Sequence, residues 1–168
     1  FTSTQFWNAL SNALIASFGG MVIALTIGVW LAWLTARTDV IGKKIIAIAA
    51  IVPLFLPSFI GALAWSFLGS PRVGIINVFF REFGIPFTVN IYSLGGIMFV
   101  FGLYYTPYVY MFTSGSLNRM DPALEEASAI SGASNWQTTF KVTFPLILPA
   151  ITSSAILVYI LMCEVFAV

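Results

Sequence analysis

Histidine is absent from this chain of 168 residues, cysteine occurs once, and only 8% of the residues are charged. The missing histidines exclude histidine-based catalysis within the chain, and a single thiol excludes both an internal disulfide and a Cys/His metal site. The formal net charge of +1 gives no reason to expect nucleic acid as a partner. Soluble domains carry about 25% charged residues, so this composition points away from that class.

Apolar residues make up most of the chain. They account for 60% of it, and the mean hydropathy of +0.98 predicts an integral membrane protein. A helix needs about 20 mainly apolar residues to cross roughly 30 Å of hydrocarbon. Four apolar stretches reach that length, which predicts an all-α polytopic membrane protein with spans at about 13–36, 45–68, 91–114 and 146–168.

Small residues recur at every fourth position of the first stretch. Such a row lies on one face of a helix and lets a second helix approach closely. Alanine and glycine are common in all membrane helices, but an unbroken row predicts tight helix packing along this face. The row consists of Ala16, Gly20, Ala24, Gly28, Ala32 and Ala36.

Two prolines interrupt the second stretch. Pro53 and Pro57 each remove a backbone donor and are expected to bend the helix. Such bends fit a helix that lines a translocation path, and they fit plain packing as well.

Polar side chains within the last two stretches are further candidates for a translocation path. Tyr105 and Tyr108 belong to a tyrosine cluster near the predicted end of 91–114, which fits either a polar path or an aromatic belt at the interface. Glu164 is the one acidic residue inside a predicted span. It is expected either to face the path or to pair near the outer interface.

The polar break at 69–90 predicts a short helix in the membrane interface. Gly84 and Pro86 are expected to end it. It is either a ledge at a docking surface or a plain connector. Its apolar face would consist of Ile75, Ile76, Phe79, Phe80 and Phe83.

The one long polar segment lies at about 118–145, between the third and fourth apolar stretches. Asp121 followed by Pro122 predicts a helix start, with Asp as the N-cap and Pro at the first helical position. Gly132 is expected to end this helix in the left-handed conformation. A narrow apolar stripe on the helix would consist of Leu124, Ala127 and Ile130.

A second short helix is expected after the glycine. Ser134 and Gln137 have the spacing of a capping box, which marks a helix N-terminus. We expect Pro145 to stop this helix. Together the two short helices predict a capped helix–turn–helix between two spans.

The spacing in this segment resembles the EAA signature of ABC importer permeases. That signature is Glu-Ala-Ala, three residues, Gly, nine residues, then an aliphatic residue, any residue and Leu-Pro. The chain matches it with Glu126-Ala127-Ser128, Gly132 and Val142-Thr143-Phe144-Pro145. Ser128 replaces the second alanine and Phe144 replaces the leucine. The segment PLFLPSFIGALAW within 45–68 resembles iron(III), thiamine and polyamine permeases, and Glu164-Val165-Phe166 is similar to ferric-iron importers.

The resemblance implies a type I ABC importer transmembrane domain, with 118–145 as the cytoplasmic coupling loop. The chain would be a permease subunit and not an enzyme. Its partners would be ABC ATPase subunits, a second permease half or copy, an extracytoplasmic solute-binding protein and the lipid membrane. It would import a small solute, with iron(III) favoured. Residue 1 is Phe and Val168 lies in an apolar run, so we expect a fragment of that domain.

The resemblance also implies roles for the loop residues. Leu124, Ala127 and Ile130 would supply the apolar docking face, and Glu125 and Glu126 would supply polar contacts. Gly132 would form the turn, and Ser128, Val142 and Pro145 complete the signature. The chain lacks the Gly-x-x-x-x-Gly-Lys-[Ser/Thr] phosphate loop, so we expect no cofactor here and place ATP and Mg²⁺ on the partner ATPase.

The basic residues predict the orientation in a bacterial inner membrane. Cationic residues stay in the cytoplasm, which makes 37–44 and 115–145 cytoplasmic and 69–90 extracytoplasmic. Only Arg72 and Arg81 fall on the outer side. The cytoplasmic set consists of Arg37, Lys43, Lys44, Arg119 and Lys141.

Two other classes of protein compete with this interpretation. An intramembrane enzyme would need a catalytic constellation at membrane depth, which the lone Glu164 does not supply. A secondary transporter or channel subunit without an ATPase fits the hydropathy, but it has no need of a capped loop with EAA spacing.

Overall fold

A computed structural model of the chain describes residues 4–167, apart from the side chains of Ser58, Phe166 and Ala167. Val168, the expected end of the last span, and the Phe166 side chain of the ferric-type pattern therefore lie outside the described part. All regular structure in that part is helical, as predicted. The elements are α1 (Thr4–Arg37), α2 (Lys43–Ile51), a 3-10 turn (Val52–Phe55), α3 (Ser58–Gly69), α4 (Ile75–Glu82), α5 (Leu94–Arg119), α6 (Pro122–Ile130), α7 (Asn135–Thr138), a π turn (Thr139–Thr143) and α8 (Phe144–Ala167).

The small-residue row of α1 forms the centre of the bundle. Five of its six members are buried, and α1 packs against α5 along its length and against α8. A Cβ atom added at Gly28 would lie 2.6 Å from the Cβ of Val109 and 3.1 Å from the carbonyl oxygen of Thr106, both on α5. A Cβ at Gly20 would lie 3.0 Å from the sulfur of Met162 on α8. The predicted close helix contact is confirmed.

The second apolar stretch is broken, where one bent helix was expected. The segments before and after Pro57 make an angle of 108°. Leu56 is extended, with φ −91° and ψ 127°, because the ring of a following proline disfavours the helical conformation. Pro53 lies in the 3-10 turn. The paired prolines therefore separate α2 from α3.

The connection from α3 to α5 is held by one amide side chain. Asn77 of α4 is only 3% exposed. Its Nδ2 donates to the carbonyl oxygens of Ser70 and Val89, each at 2.8 Å, and its Oδ1 accepts from the Val89 amide at 2.7 Å. The predicted short helix is present, and Gly84 follows it with φ +66°. Its phenylalanines Phe79 and Phe83 remain exposed.

Helix α5 runs to Arg119, five residues beyond the predicted end of the third span. Tyr105 therefore lies about 21 Å from that end at 1.5 Å per residue, in the middle of the helix. The polar path and the aromatic belt both stay predictions for the tyrosine cluster. The buried residues of α5 face α1 and α8, so α5 packs against both of the other long helices in the described part.

Two described helices are long and apolar enough to cross a membrane. They are Thr4–Arg37 and the continuous run Asn135–Val165, with mean hydropathies of 2.1 and 2.2 in their most apolar parts. The bent pair around Pro57 would be a third if it counts as one span. Helix α5 has 26 residues, but its tyrosines and glycines keep it below the same apolarity. The four-span arrangement stays a prediction.

Pro145 does not stop the second short helix, contrary to our expectation. Helix α7 continues through the π turn into α8 as one run of 31 residues, Asn135–Val165. In the π turn the amide of Phe144 bonds to the carbonyl oxygen of Thr139, five residues back. This wider turn lies just before Pro145, where the missing donor and the ring would disturb regular α geometry.

Replacing Gly28 by Val should loosen the α1–α5 contact. The new side chain would overlap Val109 and the α5 backbone, and overpacking a tight contact costs about 1–3 kcal/mol. We expect a lower midpoint of thermal unfolding in detergent. Gly95→Ala is the matched control, because nothing lies within 4 Å of a Cβ added at Gly95. Equal midpoints for the two variants would contradict the proposed packing role.

Candidate functional site

The polar loop folds as predicted at its first helix. The Asp121 side chain accepts a hydrogen bond of 2.9 Å from the Ala123 amide, and Pro122 begins α6. Gly132 has φ +83°. The Ala133 amide bonds to the carbonyl oxygen of Ser128 at 3.2 Å, and the Gly132 amide bonds to that of Ala129 at 3.0 Å. This is a Schellman motif, in which glycine avoids the strain that a Cβ would cause.

The second short helix also begins as predicted, and it is tied to the first. Ser134 and Gln137 form both bonds of a capping box. The hydroxyls of Ser128 and Thr138 lie 2.9 Å apart and share a hydrogen bond between α6 and α7. Ser128, which departs from the EAA pattern, thus gains a contact that alanine cannot make.

The apolar side of the loop is open. Ile130 is 88% exposed, and Leu124, Ala127 and Trp136 are also exposed. An aromatic row continues this surface along the start of the last helix: the rings of Trp136 and Phe140 are 4.5 Å apart, and those of Phe140 and Phe144 are 6.2 Å apart. We call Leu124, Ala127, Ile130 and Trp136 the loop surface. Such a patch on a polar loop is typical of a binding site.

The two neighbouring glutamates face different surroundings. Glu126 is exposed. Glu125 is half-buried, and its Oε1 accepts from Arg37 Nε at 3.0 Å and from Thr143 Oγ1 at 2.7 Å. Arg37 ends α1 and Thr143 ends the π turn. Sequence reasoning assigned neither residue to the site. The position of Arg37 at the end of a predicted span is a signal that could have suggested it.

The other signature residues lie at the junction of the loop with the last helix. Val142 is partly buried within the π turn, and Pro145 is exposed at the start of α8. A cavity of about 690 Å³ lies between α5, α6 and α8, with Leu124, Arg119 and Ile147 among its lining residues. The loop therefore borders one side of this cavity.

The candidate path residues form two groups on opposite sides of α5. The rings of Tyr105 and Tyr108 stack at 5.9 Å, and the Tyr105 hydroxyl donates to the carbonyl oxygen of Leu161 at 3.5 Å. Glu164 lies one turn further along α8, within electrostatic range of Tyr105, and it is exposed. The structure brings these three residues together.

The prolines belong to the second group. Pro53 lines a cavity of about 450 Å³ with Tyr104, between α2, α3 and α5. The Tyr104 hydroxyl donates to the carbonyl oxygen of Leu56, just before Pro57. The helix break leaves this carbonyl oxygen without a helical partner, and it accepts the tyrosine hydrogen bond instead, as expected for broken helices inside a membrane.

A sequence profile of binding-protein-dependent transport system inner membrane components matches residues 24–168. The chain belongs to this family. The resemblance to importer permeases is thereby confirmed, and the chain is a multi-pass type of membrane component.

Three relatives illustrate the range of the family. The chain is 29% identical to a putative ferric transport system permease protein of Haemophilus influenzae, covering 95% of this chain and 25% of the relative. It is 31% identical to the molybdenum transport system permease protein of the same species, covering 89% and 64%. It is 27% identical to the trehalose transport system permease protein of Mycobacterium tuberculosis, covering 87% and 47%. The chain thus spans between 25% and 64% of these relatives.

Two solved structures share the fold. One is a bacterial alginate ABC transporter in complex with an alginate pentasaccharide-bound periplasmic protein, with a TM-score of 0.75 at 22% identity over 90% of this chain and 54% of that chain. The other is a bacterial ABC transporter involved in alginate import, with a TM-score of 0.78 at 22% identity over 98% and 59%. The predicted fold, an ABC importer transmembrane domain, is confirmed.

Replacing Gly132 by Val should disrupt the turn between the short helices. The glycine has open space around it, so any effect comes from the backbone. A left-handed conformation costs an ordinary residue about 1–2 kcal/mol, and a β-branched residue fits it worst. We expect faster amide hydrogen exchange in α6 and α7. Gly132→Asn should exchange nearly as the wild type does, because asparagine tolerates this conformation. Identical exchange in the Val variant would contradict the requirement for positive φ.

Proposed function

We propose that this chain is the membrane-spanning permease subunit of an ATP-driven, binding-protein-dependent importer, and that residues 118–145 couple it to a cytoplasmic ATPase. In this proposal the chain performs no chemistry itself. ATP and Mg²⁺ bind to the ATPase subunits, and a solute-binding protein delivers the solute at the outer face. A second permease half or copy completes the path.

The observation that carries this proposal is the loop surface of Leu124, Ala127, Ile130 and Trp136. It stands on two short helices, of which α6 is capped at both ends and α7 is capped at its start. Fixed helices with an open apolar side lose little freedom on binding, which favours association with a partner. The exposed carboxylate of Glu126 adds a polar contact at the edge of the surface.

The arrangement of the helix ends supports the proposed topology. The end of α1, the end of α5, and α6 meet through Arg37, which bonds to Glu125 and to the carbonyl oxygen of Leu117. This contact supports placing 37–44 and 115–145 on the same side of the membrane. We assign this side to the cytoplasm, because most of the basic residues are there. Segment 69–90 then faces the binding protein.

For the solute we propose a cation, with iron(III) favoured over molybdate or a sugar. Apart from the arginines that end α1 and α5, Glu164 is the one charged residue of α1, α5 and α8. A carboxylate near Tyr105 and Tyr108 repels an oxyanion, and oxygen donors suit a hard cation. The ferric relative supports this choice, and the molybdenum and trehalose relatives supply the alternatives to test.

Replacing Ile130 by Asp should weaken binding of the cognate ATPase subunit. Burying an isoleucine contributes about 1.5–3 kcal/mol, so we expect the Kd to rise about tenfold or more. The measurement is titration of the detergent-solubilised permease with the ATPase subunit. Ile41→Asp is the matched control, since Ile41 is 99% exposed in the other cytoplasmic turn, against 88% for Ile130. No ATPase binding by the wild type, or equal Kd values for both variants, would favour the channel or secondary-transporter alternative.

Solute preference can be measured on the reconstituted complex. Binding proteins loaded with ferric iron, molybdate or trehalose are added in turn, and ATP hydrolysis is recorded. We expect stimulation by the ferric form alone, and its loss in Glu164→Gln, with Cys163→Ala as the control at the neighbouring position. Stimulation by the molybdate or trehalose form would overturn the iron assignment and leave the importer proposal intact.

A further inference from the structure

The Glu125 side chain makes its contacts within the chain. From the sequence, its position beside Glu126 suggested that both glutamates contact a partner. The side chains of Arg37 and Glu125 are only 20% and 27% exposed. One carboxylate oxygen, Oε1, accepts both the Arg37 Nε–H at 3.0 Å and the Thr143 hydroxyl at 2.7 Å. Charge-assisted bonds of this kind are stronger than neutral ones, and partial burial reduces their screening by salt.

Arg37 extends the same set of contacts to the central helix. Its Nη2 donates to the carbonyl oxygen of Leu117 at 3.1 Å. Leu117 lies in the last turn of α5, where carbonyl groups lack helical partners and cations are favoured. We call Arg37, Glu125 and Thr143 the junction. It joins the end of α1, the end of α5 and the start of the last membrane helix to α6.

The other ion pair among the described side chains has a different character. The Lys43 Nζ and Asp39 Oδ1 atoms are 3.4 Å apart, the residues are four positions apart in the sequence, and their side chains are 50% and 104% exposed. Such a pair contributes little and links nothing distant in sequence. Arg37 and Glu125 are 88 residues apart in the chain. The junction is thus the long-range ionic contact of the loop.

The junction is the polar contact that connects α6 to the first membrane helix. Apart from its covalent connection to α5, α6 packs against α7 and the π turn. A displacement of α6 would therefore act on α1 through Arg37, and on the last helix through Thr143. The π turn at that point is a wider, less regular segment, and such segments often occur where helices bend in function.

We propose that Glu125 is a positioning residue that transmits movement of the coupling helix to the membrane helices, and that it makes no contact with the ATPase. This inference rests on the proposed function. It predicts a separation of effects along the loop: the loop surface and Glu126 determine ATPase binding, whereas the junction determines how well ATP hydrolysis is converted into import.

The test uses the reconstituted importer with its ATPase and binding protein. We measure two quantities for each variant: the Kd for the ATPase subunit, and the ratio of ATP hydrolysed to solute imported. Glu125→Gln and Thr143→Val should leave the Kd within about twofold of wild type. The ratio of ATP hydrolysed to solute imported should rise about fivefold or more. A change of about fivefold is the lower end of the coupling typically found between two sites. Thr143→Val keeps the ion pair and so provides a milder variant if Glu125→Gln does not assemble.

Two further variants separate transmission from general stability. Asp39→Asn removes the carboxylate of the exposed pair and should change neither quantity. The double reversal Arg37→Glu with Glu125→Arg should recover part of the coupling lost in Arg37→Glu alone, because the pair re-forms while the bond to Leu117 does not. Loss of structure alone would not be rescued in this way.

Each outcome decides the inference. A raised ratio at unchanged Kd, with partial rescue by the double reversal, supports it. An unchanged ratio in both Glu125→Gln and Thr143→Val overturns it, and so does a Kd that rises as much as in Ile130→Asp, since Glu125 would then be a docking contact. A wild-type complex without ATP-driven import overturns the proposed function first, and the inference with it.

Discussion

The close approach of α1 and α5 is the constraint on which the rest of the structure depends. Gly28 leaves no room for a side chain against Val109, so the two helices lie nearly in backbone contact. Lipid chains are as apolar as leucine, and helices in a membrane therefore gain from tight packing more than from burial. That packing brings the ends of α1 and α5 together, and only then can Arg37 contact both Leu117 and Glu125.

Local chemistry explains why much of the loop could be predicted from the sequence. The N-cap at Asp121, the turn at Gly132 and the capping box at Ser134 each depend on a few neighbouring residues, and the sequence contains all of them. The small-residue row was equally readable, because its period is that of the helix. From these features the fold class and the position of the loop surface could be predicted.

The features that could not be predicted depend either on contacts between distant segments or on local conformational preferences that oppose one another. Pro145 alone predicts that the helix stops. The wider π turn before it accommodates the proline ring and the missing backbone donor, and the helix continues. Pro57 was expected to bend a helix, and with the extended Leu56 before it the helix breaks. Helix α5 ends at Arg119, five residues beyond the predicted span, because a helix can continue past its apolar stretch.

The pair of glutamates shows most directly what a linear motif leaves open. Successive side chains of an α-helix point about 100° apart. Glu125 and Glu126 therefore cannot both point in the same direction, whether toward a partner or toward the helix bundle. Which one turns inward is decided by where Arg37 and Thr143 lie, 88 and 18 residues away in the chain. Glu126 belongs to the EAA pattern and faces outward, whereas Glu125 lies just before it and faces the membrane helices. In the coupling role that we propose for this loop, one direction binds the partner and the other holds the membrane helices that must respond.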